Sequence, residues 1–213
     1  MAERPVFFID EECVRKRLYE FEWFSGFAVS QKQKSIKSLH QAVKRRDPSA
    51  SPLEISTKGE VEIGRRLSAF NLKLDGYTLE NVFQSSKVFE KGGPYTDLLE
   101  VSPKEAKRDP RLKESGALVS FRYLGKDWPL FPKTVFYDYI YYQAVKKNFG
   151  KEEIMEFMKY NFFTDIEFNP NHSINTQARS AAIVRLVLEE KGELAEFVDP
   201  EEFIAFHRRH VIG

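Results

Sequence analysis

Residues 67–89, which read LSAFNLKLDGYTLENVFQSSKVF, constrain the fold more than any other stretch of this chain. The pair Asp75-Gly76 lies between short alternating segments and predicts a two-residue β-hairpin turn. A helix is expected to begin at Thr78 or Leu79, and most of its residues are apolar or small. Because a helix that is apolar nearly all round is usually buried, the few polar groups on it require partners or a ligand.

Three polar side chains interrupt this apolar helix, and their i, i+4 and i+7 spacing predicts that they share one stripe. They are a carboxylate, an amide and an ammonium: Glu80, Gln84 and Lys87. Burying such groups costs free energy unless they are paired or face a ligand, so the stripe is a candidate site. The alternative interpretation is a row of solvated polar groups on the helix surface.

The length of 213 residues favours a single domain spanning 1–213, with an N-terminal extension at 1–60 and the core motifs at 65–190. The net charge of +1 argues against nucleic-acid binding by bulk electrostatics, so DNA contact would need a local basic patch. The lone cysteine, Cys13, excludes an internal disulfide and, without a signal peptide, suggests a cytoplasmic protein. No apolar run approaches the ~18 residues that span a bilayer, so no membrane contact is expected.

The residue pattern predicts a mainly α (α+β) fold, a helical domain with small β-hairpins. Helices are expected at residues 30–43 with Ser30 as N-cap, 102–108 with Ser102 as N-cap, 133–148, 151–160, 176–191 and 200–210. Strands are expected at 6–9 as an edge strand, at 19–24 and 53–56, and as a hairpin of 118–123 and 127–130. Residues 161–175 are expected to form a polar loop.

A second candidate site combines Asp165 with the segment at 169–179, where a polar loop leads into the start of the helix at 176–191. The free N–H groups and the positive dipole end of a helix N-terminus suit phosphates. Asn175 and Arg179 are four residues apart, so both could face one ligand. The alternative is an ordinary capped helix with a surface arginine. The turn at 68–71, Ser-Ala-Phe-Asn, is a weaker candidate because asparagine before a strand is common in turns.

Three further groups have a structural interpretation beside a functional one. The basic set Lys32, Lys34 and Lys37, with 44–46, is either a phosphate-contacting patch or a solvated helix face, and the solvated face is favoured. The tyrosines at 137, 139, 141 and 142 are expected in the core rather than as a base-stacking platform. His207 and His210 are expected at the surface, because no nearby ligands complete a tetrahedral metal site.

In order and spacing, these motifs resemble the NADAR (YbiA-like) family. The matching segments are LSAFN, Glu80-x-x-x-Gln84-x-x-Lys87-x-Phe89, SPKEAKR at 102–108, Asp165, and Asn-Thr-Gln-Ala-Arg at 175–179. The family's usual Asp-x-x-Trp-Gly segment is replaced by Asp-Ile-Glu-Phe-Asn, and an N-terminal extension carries Trp23 and the Lys-rich helix. This variant resembles the antitoxins associated with DarT-type toxins, which attach ADP-ribose to guanine in DNA.

The resemblance implies an N-glycosidase that removes ADP-ribose from single-stranded DNA, with ADP-ribose as product, a DarT-type toxin as functional partner and no cofactor or metal. Glu80 would stabilise charge at the anomeric carbon, Asp165 would be the second acid/base or a ribose-hydroxyl ligand, and Lys87 would form a Schiff base or hold Glu80 ionised. The implied substrate-binding residues are Ser68, Asn71, Gln84, Asn175, Gln177, Arg179 and Trp23, with Trp128 as an alternative stacking residue. The implied DNA-binding residues are Lys32, Lys34 and Lys37.

Two other functions remain open from the sequence. The same fold could hydrolyse a small N-glycoside metabolite, such as a riboflavin-pathway intermediate. Alternatively, a non-catalytic protein could sequester a toxin or modified DNA, in which case Glu80, Gln84 and Lys87 would be structural partners.

Overall fold

The structure is a computed structural model that describes residues 1–168, 174–197 and 199–211. Its strands are β1 (Ala2–Asp10), β2 (Cys13–Phe21), β3 (Pro52–Glu54), β4 (Lys73–Leu74), β5 (Tyr77–Thr78), β6 (Lys87–Phe89), β7 (Leu118–Tyr123), β8 (Lys126–Trp128) and β9 (Phe162–Thr164). Its helices are α1 (Val29–Arg46), α2 (Glu62–Arg66), α3 (Leu79–Ser85), α4 (Pro103–Arg108), α5 (Arg111–Glu114), α6 (Val135–Asn148), α7 (Lys151–Phe157), α8 (Gln177–Lys191) and α9 (Pro200–His210). A 3₁₀ turn spans Thr96–Leu99.

The prediction of a mainly α fold was wrong, because the described strands form three sheets and the chain is a mixed α/β protein. The largest sheet has the order β2-β1-β9-β3, with β1 and β2 antiparallel and β3 parallel to β9. β1 was expected at an edge but pairs on both sides. β9 lies inside the expected polar loop, where three residues gave too short an apolar run to predict a strand.

The largest sheet is covered on both faces, which explains the uninterrupted apolar run at 6–9. Val6 and Phe8 belong to a cluster with Leu39 and Val43 of α1. Phe7, on the other face, belongs to the main core, which includes the buried apolar residues of α6 and α8. Adjacent strand residues point to opposite faces, so a strand between two helical layers needs apolar residues at every position.

The segment at 67–89 forms the expected hairpin, but its helix is shorter than the sequence suggested. Asp75 and Gly76 both have positive φ, as the turn between β4 and β5 requires. α3 begins after Thr78, whose side chain caps it, and ends at Ser85. Lys87 therefore lies in β6, paired with β7, and the expected i+7 helical position for Lys87 was wrong.

Of the two predicted helix N-caps, one was confirmed and one was not. Ser102 forms the capping box of α4 with Glu105. α1 begins one residue before Ser30, with Ala28 at the N-cap and no side-chain cap, so the Ser30 prediction was wrong.

None of the helices in the described ranges combines the length and apolarity needed to span a membrane.

The prediction that the four tyrosines of α6 lie in the core is confirmed for two of them. Tyr141 and Tyr142 are completely buried. Their hydroxyls donate to the carbonyl oxygens of Leu67 and Ala195, each at 2.6 Å. The hydrogen bond from Tyr141 to Leu67 holds the segment at 67–71 against α6 and so positions the candidate site.

Candidate functional site

A cavity of about 490 Å³ lies where α3, α4, α6, the start of α8 and the segment after β9 meet. It is lined by Ala69, Phe70, Leu79, Glu80, Phe83, Gln84, Lys107, Tyr137, Asp165, Glu167, Phe168, Asn175 and Gln177. Two carboxyl groups proposed from the sequence, those of Glu80 and Asp165, therefore line the same cavity although they lie far apart in the chain.

Glu80 and Gln84 occupy successive turns of α3, as their i, i+4 spacing predicts. The Gln84 side-chain amide donates to Glu80 Oε1 at 2.7 Å, which orients the carboxylate. Gln84 Oε1 is buried and has no hydrogen-bond partner among the described residues. A buried unsatisfied oxygen is costly, so this acceptor is suited to a hydroxyl of a ligand.

Lys87 reaches the neighbourhood of Glu80 from β6 and is separate from the residues that line the cavity. Its Nζ lies 5.1 Å from the centroid of the Phe83 ring. Burial lowers the pKa of Lys87, the charge of Glu80 opposes this shift, and the charge of Lys107 adds to it. A partly desolvated amine beside a carboxylate can act either as a fixed cation or as a nucleophile.

Asp165 follows β9 directly and is only 6% exposed. Its Oδ1 accepts hydrogen bonds from the backbone N–H groups of Glu167 (3.1 Å) and Phe168 (3.2 Å). Burial raises the pKa of Asp165 well above its ordinary value, and the nearby charge of Glu54 raises it further. The hydrogen bonds from Gln177 and the backbone oppose this shift.

Ser68 and Gln177 connect the turn at 68–71 to Asp165. Gln177 Oε1 accepts from the backbone N–H of Ala69 at 2.7 Å and from the Ser68 hydroxyl at 3.3 Å. The Gln177 side chain also hydrogen-bonds Asp165. Ser68 is completely buried and does not line the cavity, so these two residues order the wall around Asp165.

Two of the expected substrate-binding residues lie away from this cavity. Asn71 is exposed and donates from Nδ2 to the carbonyl oxygen of Arg65 at 2.7 Å. Arg179 lines a second cavity of about 670 Å³, and its Nη2 lies 3.2 Å from Asp138 Oδ1. Asn175 lines the first cavity, whereas residues 169–173 of the expected polar loop lie outside the described ranges.

Asp138 is the centre of a buried cluster formed by α6, α8 and α9. It accepts from Ser180 Oγ at 2.6 Å and lies 2.9 Å from His207 Nε2. His207 and His210 are 2% and 4% exposed, so the prediction of surface histidines was wrong. The C-terminal turn of α9 faces the core, and the amphipathic pattern of such a short helix does not predict this. Within the described ranges no group of three side chains suited to a metal ion is found.

Lys32, in α1, brings the N-terminal part of the chain to the rim of the first cavity. The Lys32 ammonium lies 4.7 Å from the Trp23 ring centroid and 3.2 Å from Glu167 Oε1. Arg4 also stacks near the Trp23 ring, at 5.2 Å. Trp128, the alternative stacking residue, is only 2% exposed in the aromatic core.

The other two lysines proposed for DNA binding lie on the exposed face of α1. Lys34 and Lys37 are both exposed. Lys37 forms an ion pair with Glu60 at 2.9 Å. Of the three lysines, Lys32 is the one that contacts a residue of the cavity wall.

Four residues relevant to the site were missed from the sequence. Lys107 lines the cavity, and the SPKEAKR motif that contains it could have indicated its position. Tyr137 and Phe168 also line the cavity, and Glu54 lies behind Asp165. No local pattern distinguishes the last three, because their position depends on contacts between distant segments.

Comparison with protein families matches residues 2–212 to the family described as the DarT1-associated NADAR antitoxin. The match covers nearly the whole chain, so the protein belongs to this family, and the resemblance seen in its motifs is confirmed. No curated protein matches the chain.

Proposed function

We propose that this DarT1-associated NADAR antitoxin hydrolyses the N-glycosidic bond between ADP-ribose and guanine in modified DNA. The observation that carries the proposal is the contrast between two carboxyl groups lining one cavity. Glu80 is oriented by an amide and has an ammonium nearby, whereas Asp165 is buried close to another carboxylate. Paired carboxyl groups in different environments are the arrangement that divides acid and charge-stabilising roles in glycoside cleavage.

Cleavage of the glycosidic bond develops positive charge on the anomeric carbon of the ribose. In the proposed mechanism Glu80 stabilises this charge as a carboxylate. Asp165 exchanges a proton with the leaving base and with the attacking water, and water completes the hydrolysis. The products are ADP-ribose and unmodified guanine, and the protons balance without another reactant.

Lys87 has two possible roles in this mechanism. As a fixed cation it would keep Glu80 ionised and correctly placed. As an amine of lowered pKa it would attack the opened sugar and form a Schiff base. The position of Lys87 beside Phe83, away from the cavity wall, favours the fixed cation. Borohydride treatment during turnover separates the roles, because a Schiff base would be trapped as a stable adduct.

Binding roles follow from the positions of the polar side chains. Gln84 and Asn175 line the cavity and are suited to sugar hydroxyls and phosphate oxygens. Lys107 adds a cation for the pyrophosphate, and Trp23 with Lys32 would contact the DNA at the rim. Asn71, Arg179, Lys34 and Lys37 would contact only parts of the substrate that extend beyond this cavity. Ser68 and Gln177 would act by ordering its wall.

The test uses an oligonucleotide that carries ADP-ribosylated guanine, incubated with the purified protein without added metal. Restored mobility and released ADP-ribose are expected. Glu80→Gln should abolish release while retaining ADP-ribose binding, and Glu62→Gln, the same change on an exposed residue of α2, should not. An unchanged rate for Glu80→Gln would remove Glu80 from the chemistry.

The remaining outcomes identify the two rival functions. Tight binding of the modified strand without release would indicate a protein that sequesters modified DNA. Neither binding nor release would favour a small N-glycoside as substrate.

A further inference from the structure

Glu54 lies behind the cavity and has no role in the mechanism so far. It is the last residue of β3, is 3% exposed, and is not among the residues that line the cavity. Its Oε1 accepts from the backbone N–H of Ile166 at 2.8 Å, and its Oε2 lies 2.6 Å from Thr164 Oγ1. Burying a carboxylate whose hydrogen-bond donors are neutral costs free energy. This cost indicates that Glu54 has a role.

Burial raises the pKa of Glu54, but the hydrogen bonds from Ile166, Thr164 and Ser56 oppose this shift and favour the ionised form. The Thr164 hydroxyl has one proton, and with Glu54 ionised it donates this proton to Glu54 Oε2 at 2.6 Å, which is nearer than the Leu53 carbonyl oxygen at 3.5 Å. His40 Nε2, 2.9 Å from the same hydroxyl oxygen, must then donate to it. Burial lowers the pKa of His40 to about 4, so this histidine is neutral near pH 7 and can supply that single N–H.

Asp165 sits next to this charge. Glu54 is paired with Thr164 across β3 and β9, and Asp165 is the following residue. Both backbone donors to Asp165 converge on Oδ1, so Oδ2 has no backbone donor and can carry a proton beside the hydrogen bond that Gln177 makes to this carboxyl group. Two carboxylates in one buried region cannot both remain ionised at low cost, and Glu54 has the hydrogen bonds that favour ionisation.

We infer that Glu54 is a positioning residue that keeps Asp165 protonated, and that Asp165 is therefore the acid that protonates the leaving guanine. This inference rests on the proposed function. As the bond between the anomeric carbon and the guanine nitrogen breaks, its electron pair stays on nitrogen, which receives the Asp165 proton. Water then bonds to the anomeric carbon and returns a proton to Asp165, so the acid is restored within each turnover.

Other titratable groups surround the pair without replacing Glu54. From α6, Tyr137 and Tyr141 interact with Asp165, and burial raises the pKa of both phenols, so they stay neutral. Glu167 is exposed and paired with Lys32. Glu80 lines the same cavity from α3, with Gln84 as its donor and Lys87 and Lys107 near it. From α1, His40 reaches Glu54 only through Thr164.

The decisive experiment is the pH dependence of ADP-ribose release by Glu54→Gln. Without the charge of Glu54, Asp165 should lose its proton at lower pH. We expect the high-pH limb of the rate profile to move down by at least about 1 pH unit, with a loss of about tenfold or more at pH 8 that is largely recovered at pH 5. Glu54→Asp, which keeps the charge, should resemble the wild type, as should Glu62→Gln.

A merely structural role would give a different result. An equal loss at every pH, or an unmoved high-pH limb in a folded Glu54→Gln protein, would overturn the inference. If Glu54→Gln does not fold, Glu54→Asp decides in its place: a uniform loss in a folded Glu54→Asp protein would count against a role for the charge.

A second readout does not depend on activity. Carboxyl ¹³C resonances can be followed through a pH titration, with Asp165→Asn used to assign Asp165. The inference expects the Asp165 resonance to titrate at clearly higher pH in the wild type than in Glu54→Gln, and coincident titrations would contradict it. If modified DNA is not cleaved but this difference is seen, the proposed function fails while the control of Asp165 by Glu54 stands.

Discussion

Two aspartates, Asp138 and Asp165, are buried to a similar degree but differ in their neighbours. Asp138 has the Arg179 guanidinium, the His207 imidazole and the Ser180 hydroxyl within 3.2 Å. Burial alone would raise its pKa, but these three partners hold the pKa of Asp138 at about 2. Asp165 has another carboxylate as its charged neighbour, and its pKa is raised well above the ordinary range.

The difference shows that burial does not by itself mark a functional carboxyl group. The charge of Asp138 is balanced by Arg179, and both of its carboxyl oxygens accept hydrogen bonds. This is expected of a group that joins α6, α8 and α9. Asp165 lines a cavity with the carboxylate of Glu54 as its charged neighbour, and a strongly perturbed group in a cleft is a candidate for chemistry. Substitution of each aspartate should therefore affect a different property.

The largest expected effect is that of Asp165→Asn on catalysis. Loss of an acid/base group typically lowers the rate by about 10²–10⁴-fold, and this loss is expected in kcat for ADP-ribose release. Stability should rise, because a carboxyl group whose pKa is raised by folding disfavours the folded state at neutral pH. Single-turnover kinetics and urea unfolding measure the two properties. A fully active Asp165→Asn protein would end the assignment.

The matching substitution, Asp138→Asn, should affect stability instead. It leaves Arg179, whose side chain is 12% exposed, without the charge of its carboxylate partner, and breaking a buried ion pair costs about 3–5 kcal/mol. Urea unfolding at pH 7 measures the loss, and the rate per folded molecule should stay close to that of the wild type. If stability is unchanged while turnover collapses, the roles of the two aspartates are reversed.

Acid unfolding should show separate losses of stability from His40, which is linked to Glu54 through Thr164, and from Asp138. The unfolded state binds a proton on histidine below pH 6.5, whereas His40 in the folded protein resists protonation until about pH 4. The stability that His40 contributes above pH 6.5 is therefore lost as the pH falls toward 4, by about 3 kcal/mol. For Asp138 the loss comes later, between pH 3.8 and about 2. His40→Gln should remove the first loss and keep the second; unfolding curves measured from pH 7 to pH 4 that match the wild type would refute this.

The smallest effect concerns the rims of the two cavities. Trp23 stacks with Lys32 beside the Asp165 cavity, and Lys133 lines the cavity on the Asp138 side. If the strand passes Trp23, Trp23→Ala should weaken oligonucleotide binding by about 1–3 kcal/mol, and Lys133→Ala should weaken it less. Fluorescence anisotropy measures both affinities. A larger loss of affinity for Lys133→Ala would indicate that the DNA strand passes the second cavity.

The features that could be predicted from the sequence are those set by local chemistry. The Asp75-Gly76 turn, the Ser102 capping box and the bounds of α9 depend on residues a few positions apart, and all three were confirmed. The stripe at Glu80 and Gln84 survives for the same reason, since one helical turn relates them.

The remaining features depend on pairing between distant segments. Lys87 leaves the helix because β6 pairs with β7, more than 25 residues along the chain. Arg179 turns away from the first cavity because Asp138 draws it toward α6 and α9. Glu54 and Asp165 meet only because β3 and β9 are parallel neighbours, and no pattern within either segment indicates that contact.

The most direct test of the account is ADP-ribose release from an oligonucleotide with ADP-ribosylated guanine, comparing the wild type, Asp138→Asn and Asp165→Asn at equal concentrations of folded protein. The account predicts that the wild type and Asp138→Asn restore the oligonucleotide and that Asp165→Asn binds it without cleaving it. A wild-type protein that binds the modified strand and leaves the bond intact would contradict the account.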